Sequence, residues 1–181
     1  QEPPKEMGFI SVSIGDGINE IFQGLGVDYI IEGGQTMNPS TEDMLNAIEK
    51  VNAKNIFILP NNKNIILAAE QARDLTEDKK IIVLPTKTIP QGISAMIGYM
   101  PEAGVDENEE NMKETIRFLK EHDIHPAQVN LLPYHNTGSS KYPKLDMEYK
   151  GNDLNAPTKE EMEGFVKLFQ EAGFSNTKIG G

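Results

Sequence analysis

Apolar and polar positions change their spacing in a regular rhythm along the first hundred residues. Residues 8–14 (GFISVSI) half-alternate, which is the period of a strand with an unequal burial of its two faces. Ile18, Ile21, Phe22 and Leu25 then recur at i, i+3, i+4 and i+7, the stripe of an amphipathic helix, and Gly26 supplies its left-handed stop. A short apolar run at 29–31 (YII) predicts a second strand. Ser40 or Thr41 can cap the helix that follows, with Met44, Leu45, Ile48 and Val51 as its buried stripe. Residues 55–60 (NIFILP) read as a third strand and 64–75 (NIILAAEQARDL) as a helix rich in strong formers. Residues 80–85 (KIIVLP) give a fourth strand before a helix over 91–99. Strands alternating with helices of about ten residues predict right-handed crossovers and a parallel sheet with helices on both faces, an α/β fold.

Residues 101–110 (PEAGVDENEE) break the rhythm. Five acidic residues, a Pro and a Gly without core periodicity read as a solvated linker or capping loop. Beyond it the pattern predicts a helix over 111–121 with Met112, Ile116 and Leu119 on one face, and a strand over 128–132. An irregular polar stretch, 133–157, comes next. Thr158 and Glu161 then form a capping box for a helix carrying Met162, Phe165, Val166 and Phe169, closed by Gly173, and a strand over 177–179 ends the pattern. The reading is therefore two domains, 1–106 and 107–181, the second a C-terminal α-β-α-β segment with only two strands. Residues 1–6 (QEPPKE) read as a linker from which an upstream segment has been removed.

Charge supports a change of character near residue 110. Residues 1–110 hold 8 Lys and Arg against 18 Asp and Glu, whereas residues 111–181 hold 9 against 10. The formal net charge of −11 over 181 residues argues against a nucleic-acid partner, because phosphate backbones are met by clustered Lys and Arg. The absence of cysteine excludes disulfides, thiol nucleophiles and thiolate-held metal or iron–sulfur centres in this chain. No apolar run approaches the ~20 residues of a membrane span, and the chain reads as cytoplasmic.

The candidate chemistry lies at the strand ends. In an open parallel sheet, ligands bind in the crevice outside the carboxyl ends of the strands, where helix N-termini converge. The residues expected there are Gly15, Asp16 and Gly17; Gly33, Gly34, Gln35, Thr36 and Asn38; Asn61, Asn62 and Lys63; and Thr86, Lys87 and Thr88. Glycine pairs and free backbone N–H groups suit a polar or anionic ligand. Lys63 and Lys87 would supply the positive charge for a phosphate or carboxylate. The same residue types also serve turns and caps, and that reading stands beside the ligand reading. Gly15-x-Gly17 is no dinucleotide fingerprint, because the third glycine falls too late, at Gly24. No catalytic group and no metal-ligand set is assigned. His122 and His125 read as a helix end and a turn, while His135 follows a strand and opens a polar loop.

Residues 7–100 closely resemble a region in the middle of the ATP-binding component of bacterial fatty acid kinase, a family with a dihydroxyacetone-kinase-like domain. The phrases EGGQTMNPST, LPNNKNI and PTKTIPQG carry that resemblance. It implies a non-catalytic module for binding and dimerisation, associated with phosphorylation of fatty acids. It further implies that ATP and Mg²⁺, and the fatty-acid-carrying partner protein, are held by domains outside this chain. A homo-oligomer is expected. Residues 111–181 resemble a different family, the C-terminal end of the radical S-adenosylmethionine enzymes that activate glycyl-radical enzymes, through LLPYHNTGSSKY. That resemblance implies that His135 lies close to S-adenosylmethionine. The cysteine motif that holds the family's iron–sulfur cluster is absent. The chain thus reads as a join of two proteins near residues 107–111, with the leading function of the first part, and with a remnant activating enzyme or a phosphate-binding α/β domain as alternatives.

Overall fold

A computed structural model describes residues 2–34, 37–121, 129–131, 158–171 and 174–180. The chain divides into two compact units, residues 1–125 and 126–181.

In the first unit four strands form one sheet: β1 (Lys5–Ser13), β2 (Tyr29–Glu32), β3 (Ala53–Leu59) and β4 (Lys80–Val83), in the order β2-β1-β3-β4. Every pairing is parallel, as the strand–helix rhythm predicts. The connecting helices are α1 (Asp16–Gly24), α2 (Thr41–Lys50) and α3 (Ile66–Leu75), with α4 (Ile89–Ile97) after β4. Right-handed crossovers force a helix to change face when the chain reverses its direction across the sheet. The chain moves one way from β1 to β2 and back the other way through β3 to β4. Accordingly α2 and α3 pack together, and α1 packs with α4.

Strand periodicity sorts the core between these layers. Ile10, Val12, Ile56 and Ile58 join Met44, Ala47 and Ile48 of α2 and Ala69 and Ala72 of α3 in one buried cluster. The intervening Phe9 and Phe57 stack at 5.2 Å, and Tyr99, just after α4, meets Phe9 edge-on at 4.7 Å. Burial of each large apolar side chain contributes roughly 1.5–3 kcal/mol. The α2 N-terminus is closed by the expected cap: Ser40 Oγ accepts from the Asp43 N–H at 3.1 Å, and Asp43 Oδ2 accepts from the Ser40 N–H at 2.8 Å. Gly26 has the expected left-handed conformation, with φ 102°.

Two readings are corrected. Lys5 and Glu6, expected in a linker, begin β1: the Lys5 N–H donates to Asn52 O, and Lys5 Nζ lies 2.6 Å from Asp28 Oδ1. Ladder bonds come from the backbone, so a polar strand start leaves no hydropathy signal. The second correction concerns residues 101–110. Helix α5 spans Val105–Glu121, so the expected linker and the expected join near 107–111 are largely inside one helix. Asp106 and Glu107 occupy its first turn, where the helix dipole favours acidic side chains, and Asp106 pairs with Lys80 at 2.8 Å. Asn108 is buried and accepts from the Met100 N–H while donating to Met100 O, Ala103 O and Gly104 O. α5 packs against α4 and buries Met112 and Ile116. The two compact units divide at 125/126.

In the second unit, β5 (Val129–Leu131) and β6 (Thr177–Ile179) pair in parallel, with α6 (Lys159–Glu171) between them in sequence. The expected capping box is present: the Thr158 N–H donates to Glu161 Oε2 at 2.7 Å, and the Glu161 N–H to Thr158 Oγ1 at 3.2 Å. Met162 and Phe174 are buried, and Phe165 is exposed.

Candidate functional site

The reversal of strand order between β1 and β3 opens a crevice at the carboxyl edge, the place where ligands bind in open α/β sheets. Here it is largely filled by the protein's own polar groups. Asn61 follows β3 in the left-handed region, at φ 57°, a conformation that Asn tolerates better than most residues. This turn aims its side chain across the sheet, where Nδ2 donates to Ser11 Oγ at 3.0 Å and to Val12 O at 2.9 Å. Its own N–H donates to Thr86 Oγ1 at 3.0 Å. One residue therefore ties together the ends of β1, β3 and β4.

The β2 end joins the same network. Gly33 donates its N–H to Ser13 O, and Gly34 donates its N–H to Met37 O. A side chain at Gly33 would meet Met37 O at 2.8 Å, so the close approach requires glycine. Asn62 Nδ2 donates to Gly34 O at 2.6 Å, and its Oδ1 accepts from the Asn64 N–H. Ser13 Oγ donates to Asn19 Oδ1, and Asn19 Nδ2 reaches Glu32 Oε1 at 3.4 Å. What remains is a cavity of about 70 Å³ lined by Val12, Ile14, Ile18, Gly33, Gly34, Pro60, Asn61 and Ile89.

The expected site residues separate into groups. Gly33, Gly34, Asn61, Asn62 and Thr86 meet in the network just described. Thr88 caps α4, accepting from the Gln91 N–H, while Gln91 Oε1 accepts from the Lys87 N–H at 2.7 Å. Gly15, Asp16 and Gly17 form the start of α1, where no side-chain cap is made. Asn38 and Lys63 are exposed on the rim. Neither Lys63 nor Lys87 lines the 70 Å³ cavity. The Lys87 side chain lines another cavity, beside Lys113 and Arg117 of α5. Gln35, Thr36 and all three histidines, His135 included, lie outside the described residues.

Ser11, Ser13, Asn19 and Gln91 belong to this edge although the sequence reading passed over them. Two serines alternating with Val12 inside an otherwise apolar strand were the available signal, since a buried hydroxyl needs a partner. Among the described residues no three His, Cys, Asp or Glu stand together as a metal site. No helix among them is long and apolar enough to cross a membrane.

The first unit is thus an all-parallel α/β module with a crevice closed from within and an exposed rim. Residues 8–131 match the family model of the C-terminal part of FakA-like fatty acid kinase proteins, and the chain belongs to that family. The match is to a C-terminal part, where the resemblance had implied the middle. Protein YloV of Bacillus subtilis (strain 168) is 46% identical over 122 residues, covering 66% of this chain and 22% of its own length. An uncharacterised protein of Staphylococcus aureus (strain USA300) is 49% identical over 115 residues, 64% of this chain and 21% of its own length. The chain therefore spans about a fifth of these relatives. A crystal structure of phosphotransferase system component EIIA from Streptococcus agalactiae covers 62% of this chain and 93% of its own at 20% identity, with a TM-score of 0.46, too slight a likeness to carry an argument. The family match ends at residue 131 and lends nothing to the activating-enzyme resemblance of the tail.

Proposed function

We propose that this chain is a non-catalytic association module of a fatty-acid-kinase-like system, and that its contact face is the carboxyl edge of the sheet. The observation that carries the reading is a contrast within that edge: the crevice is bridged by the protein's own hydrogen bonds, and its rim carries three exposed large apolar side chains among polar ones. Ile14, Met37 and Leu67, which follow β1, β2 and β3, are 47%, 77% and 63% exposed. Large apolar side chains gathered at one exposed edge mark a protein contact more often than a small-ligand site. The partner is a second copy of this chain. Phosphorylation of fatty acids, with the ATP and Mg²⁺ it needs, takes place on other parts of the system, and this chain contributes assembly rather than chemistry. Support for the kinase context is the family match; support for the contact face is the rim.

Sedimentation equilibrium at micromolar concentrations tests this. The unaltered chain should associate, and Met37→Glu or Leu67→Glu should weaken association while leaving the circular dichroism spectrum unchanged. A monomeric unaltered chain, or variants that associate as strongly as it does, would overturn the contact face.

A further inference from the structure

A second cavity, unrelated to the crevice, lies where the β4–α4 loop meets α5. It measures about 230 Å³ and is lined by Pro85, Lys87, Gln91, Lys113, Ile116 and Arg117. Three of these six residues are cations, in a chain whose net charge is −11. Lys113 and Arg117 are four residues apart on α5 and so share a helix face. Lys87 comes from the loop after β4. Lys113 is paired with Glu109 at 2.5 Å. Among the described residues neither Lys87 nor Arg117 makes an ion pair. Glu109 and Glu114 lie with Asp106 and Glu110 along a neighbouring groove that Lys113 and Arg117 also border, so these two cations stand on the ridge between an acidic groove and the cavity. The cavity's own lining carries no acidic residue.

The floor has a different character from the rim. Ile116 is buried and lines the cavity with Pro85, and the methylene stems of Lys and Arg are able to cover apolar surface while their heads stay in water. We propose that this cavity binds a short amphiphilic oxyanion, a carboxylate or phosphate head on a small apolar body. Arg117 meets the head as a planar fork able to hold two oxygens, and Lys87 meets it as a point charge. Gln91 Oε1 is committed to the Lys87 N–H, which fixes the loop and leaves the Gln91 Nε2 free to donate. The apolar body rests on Pro85 and Ile116. At about 230 Å³ the space is smaller than the roughly 300–1,000 Å³ typical of drug-sized ligands, which limits the body to a short chain or single ring. The site borders the carboxyl edge through Lys87 and Gln91 but shares none of the apolar rim residues Ile14, Met37 and Leu67.

Isothermal titration calorimetry of the full chain with four probes tests the assignment: hexanoate, hexyl phosphate, inorganic phosphate and hexanol. Binding is expected for one or both of the first two, which also tells carboxylate from phosphate. It should weaken roughly tenfold or more in Lys87→Gln and in Arg117→Gln, each of which removes a charge-assisted contact at an exposed position, and stay unchanged in Lys54→Gln, at the start of β3 and away from the cavity. Amide shifts at Gln91, Lys113 and Arg117 in a nitrogen–proton spectrum should accompany it. Binding of inorganic phosphate as tight as hexyl phosphate would reduce the site to bare charge attraction. Equal binding of hexanol would reduce it to apolar partition. Either result, silence from all four probes, or affinity indifferent to both substitutions overturns the proposal.

Discussion

Asn61 and Gly92 are interlocked: a Cβ at position 92 would overlap Asn61 Oδ1, nearer than any real pair of such atoms. The amide that ties β3 to β1 is thereby wedged against the first turns of α4, whose Gly92 N–H donates to Thr88 O. Oδ1 has no hydrogen-bond partner although it is buried. Its position is explained by Nδ2: a flipped amide would set Oδ1 against the Val12 carbonyl, acceptor against acceptor, whereas the Ser11 hydroxyl can meet either orientation.

Gly92→Ala is therefore expected to destabilise the protein by about 1–3 kcal/mol, the usual cost of overpacking, even though Ala is favoured over Gly by about 1 kcal/mol inside a helix. The clash wins because Asn61 is held on three sides and has no room to withdraw. Urea denaturation of Gly92→Ala, Asn61→Ala and the double variant checks it. The double variant should lose less than the two single losses added together, and strict additivity would show that the two residues do not interlock.

The merging of residues 101–110 into α5 can be tested by Met112. This side chain is fully buried, so Met112→Ala should cost about 2–5 kcal/mol. A loose linker helix would lose almost nothing. Limited proteolysis read by mass spectrometry gives a parallel check, since residues 105–119 should resist cutting while the protein is folded.

Asp43 supplies a pH dependence whose sign is fixed. Hydrogen bonds from the Ser40 N–H and hydroxyl hold its carboxyl below the ordinary value of 3.8. A group with a lowered folded pKa contributes stability above its unfolded pKa and loses it as pH falls through the folded one. Stability should thus decline on acidification below about pH 4, with Asp43→Asn lacking this part of the decline. Glu161, bonded by the Thr158 N–H, shifts in the same direction in the second unit. Carboxyl chemical shifts followed against pH should place the Asp43 midpoint under 3.8; a midpoint above it would contradict the cap geometry.

Mg²⁺–ATP is expected not to enter the carboxyl-edge crevice, whose cavity of about 70 Å³ is far below the roughly 300–1,000 Å³ of ligand pockets, so any shift in melting temperature should be the same in Asn61→Ala. The measurement is sensitive: a ligand at 100 times its dissociation constant adds roughly 2.7 kcal/mol to the folded state. A rise that Asn61→Ala abolishes would mean that the crevice opens.

The sequence by itself determined the first unit's architecture. Four strand–helix alternations, the Ser40 cap and the Gly26 stop are local signals, and the handedness of crossovers leaves little freedom once they are set. The Thr158–Glu161 box and the strand at 177–179 were legible for the same reason. The carboxyl-edge loops were legible as a set, because strand ends in a parallel sheet must lie on one edge. Their pairing was not. Asn61 bonds Ser11 across 50 residues and Asn62 bonds Gly34 across 28, and only the folded chain decides which amide faces which carbonyl. Lys87 looked like a partner for Lys63 because both follow strands; tertiary packing made it line a cavity with Arg117 instead, where α5 meets the β4–α4 loop. The acidic run at 101–110 misled for a physical reason too. Charge at a helix N-terminus and charge in a linker look alike in sequence, and what separates them is Asn108 and Met112 finding a buried place against elements that composition cannot see.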